Sequence, residues 1–266
     1  MPSLPPLRAV VFDLFDTLVD LHMDRLPPVE IDGRRFPSTA GHLHALVAER
    51  APVTWEAFGK ALWAVEREVR APRSEAGREL PTLERMEEIL RRLGVRDAAL
   101  AERLTDVHMG LLREQVTLLP HHVGVLEALR GRVKLAVCSN FSHSQTALRI
   151  LEDAGLRWLF DAVLVSDATG FRKPRREIFD ATCAVLGVAP AEALHIGDHL
   201  KLDVAGGSAA GLRTAWLVRR VPDPDAALRE HAGPAPGHVI RDLAEVPELV
   251  RNIDAKINDD WAGAVS

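Results

Sequence analysis

Cysteine is scarce in this chain: Cys138 and Cys183 are the only two among 266 residues, and both stand in apolar surroundings. That scarcity excludes a disulfide framework and a cysteine-rich metal site, and two reduced core thiols are expected. A positively charged opening followed by an apolar stretch is also missing, so no secretory signal is expected and the chain reads as cytoplasmic. No apolar run approaches the ~20 residues needed to span a bilayer, which argues against a membrane partner. Basic residues are in deficit, 33 Lys and Arg against 38 Asp and Glu for a net charge of −5, and they are spread along the chain. A nucleic-acid partner is therefore not expected. There is no internal repeat. What remains is an ordinary globular composition, 47% hydrophobic and 27% charged, with the length for one large domain or one domain carrying an insertion.

One stretch organises the rest: Ala9-Val10-Val11-Phe12 runs apolar without alternation and stops at Asp13. Such a run predicts a strand buried on both faces of a parallel sheet. Open α/β sheets do their chemistry just beyond the carboxyl ends of the strands, which is where Asp13 falls. Taken alone, an aspartate there is equally well a turn or a helix cap.

Along the chain, Asp32-Gly33 suggests a small hairpin within Glu30 to Phe36. From Ser38 to about Arg113 the pattern is helical: one helix over 39–50, one capped by Thr54, one capped by Thr82 and ended by Gly94, and one capped by Asp97. Four helices with no strand between them predict an insertion. Alternation of strand and helix then resumes. Strands are expected at 133–139, 162–165, 193–197 and 214–218, with an edge strand at 238–240. Helices are expected at 142–153, 177–186, 202–210 and 246–251. The fold class is α/β: a Rossmann-like parallel sheet with helices on both faces and an inserted helical unit. The expected division is a core of 1–19 and 116–252, an insertion of 20–115 and a polar tail of 253–266.

Four polar signals fall just after predicted strands: Asp13, Ser139-Asn140, Lys173, and Asp198 with Asp203. With Thr17, Lys173-Pro174 and Gly197-Asp198, this ordered set resembles the motifs of the haloacid dehalogenase superfamily, most of whose members are Mg²⁺-dependent phosphatases. The insertion resembles the cap domain that the family carries between its first two motifs. The resemblance implies that Asp13 is the nucleophile and forms an aspartyl-phosphate. It implies that Mg²⁺ is held by Asp13, Asp198 and the main-chain carbonyl of Phe15, with Asp203 binding through water or holding Lys173. Lys173 would offset the charge of nucleophile and phosphate, Ser139 and the amide of Asn140 would bind phosphate oxygens, and Thr17 would orient the loop.

The sequence departs from the family's phosphatases at one position. They carry a second Asp two residues after the nucleophile as general acid and base; here Phe15 stands there. Asp16 is one place further on, and reads as a turn or flap residue. An aromatic at that position resembles the dehalogenase branch, in which the aspartate displaces halide from carbon without a metal. Keeping both Asp198 and Asp203 argues the other way, because three close carboxylates call for a cation. The leading expectation is a phosphatase of a small phosphorylated metabolite, monomeric or homodimeric. A carbon–halogen hydrolase and a catalytically weak phosphate-binding regulator stand beside it.

Weaker signals have plainer readings. Trp55, Phe58, Leu62 and Trp63 are expected to pack inside the insertion. His121-His122 reads as an exposed pair, and Gly206-Gly207 as a site of close helix packing. Arg34-Arg35, Arg67 and Arg70 are exposed cations unless they meet an anionic substrate. His199, next to Asp198, is the histidine that stands nearest the expected site.

Overall fold

A computed structural model describes residues 5–253 and residue 255. The expected tail lies outside those residues except at 253 and 255. The central sheet has six strands: β1 (Ala9–Phe12), β6 (Lys134–Ser139), β7 (Ala162–Val165), β8 (Ala193–Gly197), β9 (Arg213–Leu217) and β10 (His238–Ile240). Their order is β10-β9-β8-β1-β6-β7, and every pairing is parallel. Four short strands lie outside it. These are β2 (Val19–Leu21) paired with β5 (Val116–Leu118), and β3 (Pro28–Ile31) paired with β4 (Arg34–Pro37).

The parallel sheet follows from what β1 can bury. Val10 and Phe12 enter one hydrophobic layer and Ala9 and Val11 the other, and all four are solvent-inaccessible. A strand buried on both faces needs helices on both, and the crossover connections supply them. Helices at Ser144–Asp153 and Arg176–Leu186 contribute Ile150 and Leu151 to the first layer and Ile178 and Phe179 to the second. The strands match the sequence expectation to within a residue at each end.

The helices between β4 and β5 form their own hydrophobic cluster, built on Leu43, Phe58, Met86, Ile89 and Leu104. Trp55, Leu62 and Trp63 pack against it, as their spacing predicts. Thr54 and Asp97 cap their helices, accepting from the amides of Ala57 and Leu100. Thr82 does not act as a cap. It is the first residue of the helix Thr82–Arg92, and its hydroxyl donates to the carbonyl of Ser142 in the sheet unit. The helix begun at Trp55 widens to a π-helical turn at Glu66–Arg70 and continues through Ala71–Glu75, so what reads as one short helix is a longer bent element.

Three features were not legible in the sequence, one of them the helix His121–Leu129. The β2–β5 pair joins the two chain crossings at the base of the inserted helices, and a three-residue pairing is too short for periodicity to show. The helix Pro224–Glu230, capped by Asp223, falls in a stretch whose Pro-Asp composition reads as loop. The expected helix at 202–210 is a π-helical turn at Leu200–Ala205 followed by Gly206–Ala210.

Candidate active site

Register places the chemistry. Phe12 pairs with Val137 of β6 on one side and Ile196 of β8 on the other. The amide of Asp13 donates to the carbonyl of Ile196 at 2.9 Å, extending the ladder by one step. Asp13, Ser139 and Asp198 therefore leave three adjacent strands at nearly one level, at the edge where an open parallel sheet presents its ligands.

Lys173 ties the group together. Its Nζ is 2.7 Å from Oδ1 of Asp13 and 2.6 Å from Oδ1 of Asp203, and the side chain is almost wholly buried. Asn140 fixes the backbone that carries it: the amide of Lys173 donates to Oδ1 of Asn140 at 2.7 Å, and Nδ2 of Asn140 donates to the carbonyl of Lys173 at 3.0 Å. The side chain of Asn140 thus serves as a clasp on the Lys173 loop. Helix Gly206–Ala210 comes close behind that loop. A Cβ on Gly206 would lie 2.8 Å from Cα of Pro174, so glycine is required there, as the Gly-Gly reading expects.

Asp203 is engaged on both oxygens. Oδ1 meets Lys173 and, at 2.9 Å, Nε2 of the buried His195; Oδ2 accepts from the amide of His199 at 3.0 Å. Asp203 thus lies in direct contact with Lys173. Gly197 makes this possible, because a Cβ there would stand 2.2 Å from Cγ of Asp203. His195 was missed by sequence reasoning: it lies inside a buried strand, where a histidine looks like any other core residue.

The electrostatics are unbalanced. Ligating oxygens of Asp13, Asp198 and Asp203 lie within 4.8 Å of one another, and the contacting cation is Lys173. Burial favours the neutral form of Asp203, but Lys173 and then His195 overcome it and hold its pKa well below the carboxylate range. Burial likewise disfavours a charged Lys173, yet Asp13 and Asp203 keep it protonated, its pKa above the ordinary lysine value. Asp13 is raised, by burial first and by Asp203 after the opposing pull of Lys173. Asp198 carries the surplus: burial, then Asp13 and Asp203, push it up to about 7. The indole of Trp216 donates to its carbonyl at 2.8 Å and fixes its backbone.

Two buried hydroxyls face the same question. Oγ of Ser139 and Oγ1 of Thr17 are inaccessible and have no hydrogen-bond partner among the described residues. Buried polar atoms are nearly always satisfied, so a pair of orphans beside a carboxylate cluster marks a place built for something else. An all-oxygen donor set with surplus negative charge fits a hard divalent cation.

The remaining candidates separate. The ring of Phe15 packs on Phe141 with centroids 4.8 Å apart, so an aromatic pair stands where a second carboxylate would. Asp16 sits at φ 57° and meets Arg220 at 2.5 Å, the geometry of a turn residue. His199 accepts through Nδ1 from the amides of Lys201 and Leu202, which makes it a helix cap. The His121-His122 reading as an exposed pair is corrected. His121 is exposed and meets Asp242 at 2.8 Å, but His122 is fully buried and its Nδ1 donates to the carbonyl of Leu18. Cys138 and Cys183 are buried and free, their thiols pushed up by burial to about 12 and about 11.

With this geometry in place, comparison with known proteins decides the family. A haloacid dehalogenase-like hydrolase profile matches residues 7–211. The chain belongs to the haloacid dehalogenase-like hydrolases. It is 32% identical to the haloacid dehalogenase-like hydrolase domain-containing protein 3 of Bos taurus, covering 88% of this chain and 92% of that one. It is 29% identical to the human N-acylneuraminate-9-phosphatase over 62% of this chain and 64% of that protein. It is 33% identical to the pyrimidine 5'-nucleotidase YjjG of Escherichia coli over 56% of this chain and 63% of that one. The match thus spans less than two thirds of each of these two phosphatases. Among solved structures, the 2-haloacid dehalogenase of Pseudomonas syringae superposes with a TM-score of 0.63 at 22% identity, covering 92% of this chain and 99% of that one. The magnesium-bound hydrolase YfnB of Bacillus subtilis does so with 0.56 at 24% identity and the same coverage. These two likenesses establish the fold. Phosphatases are thus among the relatives to which this family member is similar.

Proposed function

We propose that this haloacid dehalogenase-like hydrolase is a Mg²⁺-dependent phosphatase acting on a small phosphorylated metabolite through an aspartyl-phosphate on Asp13. The observation that carries the reading is the bridge of Lys173 between Asp13 and Asp203, with Asp198 left unneutralised beside it. Asp13, Asp198 and the carbonyl of Phe15 would hold the ion, Asp203 lying behind them, and the ion would screen the repulsion between carboxylate and phosphate.

The chain's own residues do the rest. A carboxylate oxygen of Asp13 attacks phosphorus as the ester P–O bond breaks, and the leaving oxygen takes a proton from a solvent water, which the later hydrolytic water returns to solvent. Water then attacks the acyl phosphate, releasing inorganic phosphate and regenerating Asp13. Lys173 orients Asp13 and offsets charge on the transferring group. The hydroxyls of Ser139 and Thr17 find partners in phosphate oxygens and the loop that holds them. The inserted helices act as a cap that closes over this edge and excludes water. With Phe15 in place of a general acid, a contribution of about 10²–10⁴-fold is forgone on poor leaving groups.

The aromatic pair of Phe15 and Phe141 favours one competing reading, metal-free displacement of halide from a 2-haloacid. One comparison tests both. Aryl phosphate hydrolysis that requires Mg²⁺ and is lost in Asp13→Asn supports the phosphatase; chloride release from 2-chloropropionate without metal overturns it.

A further inference from the structure

A cavity of about 290 Å³ opens between the inserted helices and the strand ends. Asn140 and Ser142 line its floor, directly after Ser139, so it adjoins the proposed phosphate site. Three guanidinium-bearing residues, Arg70, Arg85 and Arg172, line its walls, and no carboxylate does.

The charges there are under-compensated. Arg70 meets Glu66 at 2.5 Å, and Arg85 reaches the same carboxylate only at 3.7 Å, so two cations share one anion. Nε of Arg85 is buried with no hydrogen-bond partner. Arg172 is compensated by Glu79 at 2.5 Å, so the surplus positive charge rests with Arg70 and Arg85. Arg70 belongs to the π-helical turn Glu66–Arg70, a local departure from regular helix of a kind concentrated at functional sites. His108 lines the same cavity and reports its field: burial first, then Arg85, Arg70 and His143, lower its pKa to about 3. A site that keeps a histidine neutral and leaves an arginine donor unsatisfied lacks an anion.

We propose that this cavity receives a second anionic group of the substrate, a carboxylate or a phosphate, so that the enzyme selects phosphomonoesters charged at both ends. Arg85 and Arg70 are the specificity-determining residues, donating charge-assisted hydrogen bonds to that group. This rests on the phosphatase reading and narrows it to a substrate class.

The test is a homologous series assayed with Mg²⁺: straight-chain monophosphates of three to eight carbons ending in alcohol, carboxylate or a second phosphate, alongside an aryl phosphate. At one or more chain lengths the carboxylate or the bisphosphate is expected to exceed the matching alcohol by about 10- to 100-fold in kcat/KM, and the stronger of the two identifies the anion. Arg85→Met and Arg70→Met are expected to bring that ratio toward one mainly through KM, with Arg85→Lys retaining part of it. The wild-type series decides the matter even if the variants fold poorly. Alcohols cleaved as well as their charged partners at every length, with the aryl phosphate still hydrolysed, overturn this inference and leave the phosphatase standing. No hydrolysis of any phosphate, the aryl ester included, overturns the phosphatase and this inference with it.

Discussion

Nζ of Lys173 stands 2.7 Å from Oδ1 of Asp13 at the carboxyl edge of the sheet, the lysine buried and the aspartate largely so. The pair is held from behind by Asp203, so the lysine has two anions and Asp13 shares with Asp203 its one contacting cation among the described residues. Removing one member of a buried charged group leaves the others uncompensated, at a cost of about 3–5 kcal/mol. Lys173→Met is therefore expected to lower unfolding stability by about that amount and to abolish phosphate turnover. Urea unfolding with and without Mg²⁺ checks this: the ion should restore part of the lost stability. An unchanged midpoint would show that the lysine is dispensable to the cluster.

Gly197→Ala should be nearly as damaging. The added methyl would stand 2.2 Å from Cγ of Asp203, which cannot move without releasing Lys173. A loss of about 1–3 kcal/mol is expected, with a loss of activity alongside. Gly124→Ala is the matched control. It lies in the helix His121–Leu129 with nothing within 4 Å of the new Cβ, and it should be neutral or slightly stabilising. Thermal melts of the two variants side by side distinguish local crowding from a general intolerance of alanine.

Phe15→Asp tests the missing acid. The ring lies on Phe141, and on the phosphatase reading a carboxylate in its place would stand beside the leaving group. On alkyl phosphates kcat should rise by up to about 10²-fold, the low end of what general acid–base catalysis contributes. On aryl phosphates, whose leaving groups need no proton, the change should be small. Equal rates on alkyl esters before and after substitution would mean that the proton comes from elsewhere.

Much of this was legible in the chain itself. Uninterrupted apolar runs ending in Asp13, Ser139 and Gly197 gave the strands, their parallel pairing and the edge where the site lies, because a strand buried on both faces leaves a plain signature. That Asp13, Lys173, Asp198 and Asp203 come together at that edge was likewise readable. What each one touches was not. The side chain of Asn140 clasps the Lys173 backbone, and His195, inside a buried strand, meets Asp203; neither contact shows in the sequence. Thr82 read as a helix cap yet donates to Ser142, sixty positions away. Contacts of that kind are set by packing between distant segments, which spacing along the chain does not encode. The three arginines of the cavity illustrate the same limit: Arg70 and Arg85 lie on different helices and Arg172 beyond a third strand, and only the fold brings them to one wall.

His108 makes stability depend on pH. Its Nδ1 is 2.7 Å from the hydroxyl of Thr39, and Arg85, Arg70 and His143 face it. Burial, then those charges, lower its pKa from 6.5 to about 3 in the folded protein. The unfolded chain therefore takes up a proton first as pH falls. The contribution of His108 to stability is complete above pH ~6.5 and is lost progressively down to pH ~3, amounting to about 1–2 kcal/mol at pH 5 for this half-buried ring. His108→Gln should flatten that part of the stability curve, measured by urea unfolding at pH 5 and pH 7.5. An identical pH slope in both proteins would show that the ring titrates normally.

The most direct measurement is rapid acid quench of the enzyme turning over ³²P-labelled acetyl phosphate with Mg²⁺, a substrate whose leaving group needs no general acid. The expected result is acid-stable, hydroxylamine-labile label on the peptide containing Asp13, absent in Asp13→Asn and absent without the ion. Turnover with no label on that peptide, or label that persists in Asp13→Asn, would contradict the assignment of Asp13 as the nucleophile.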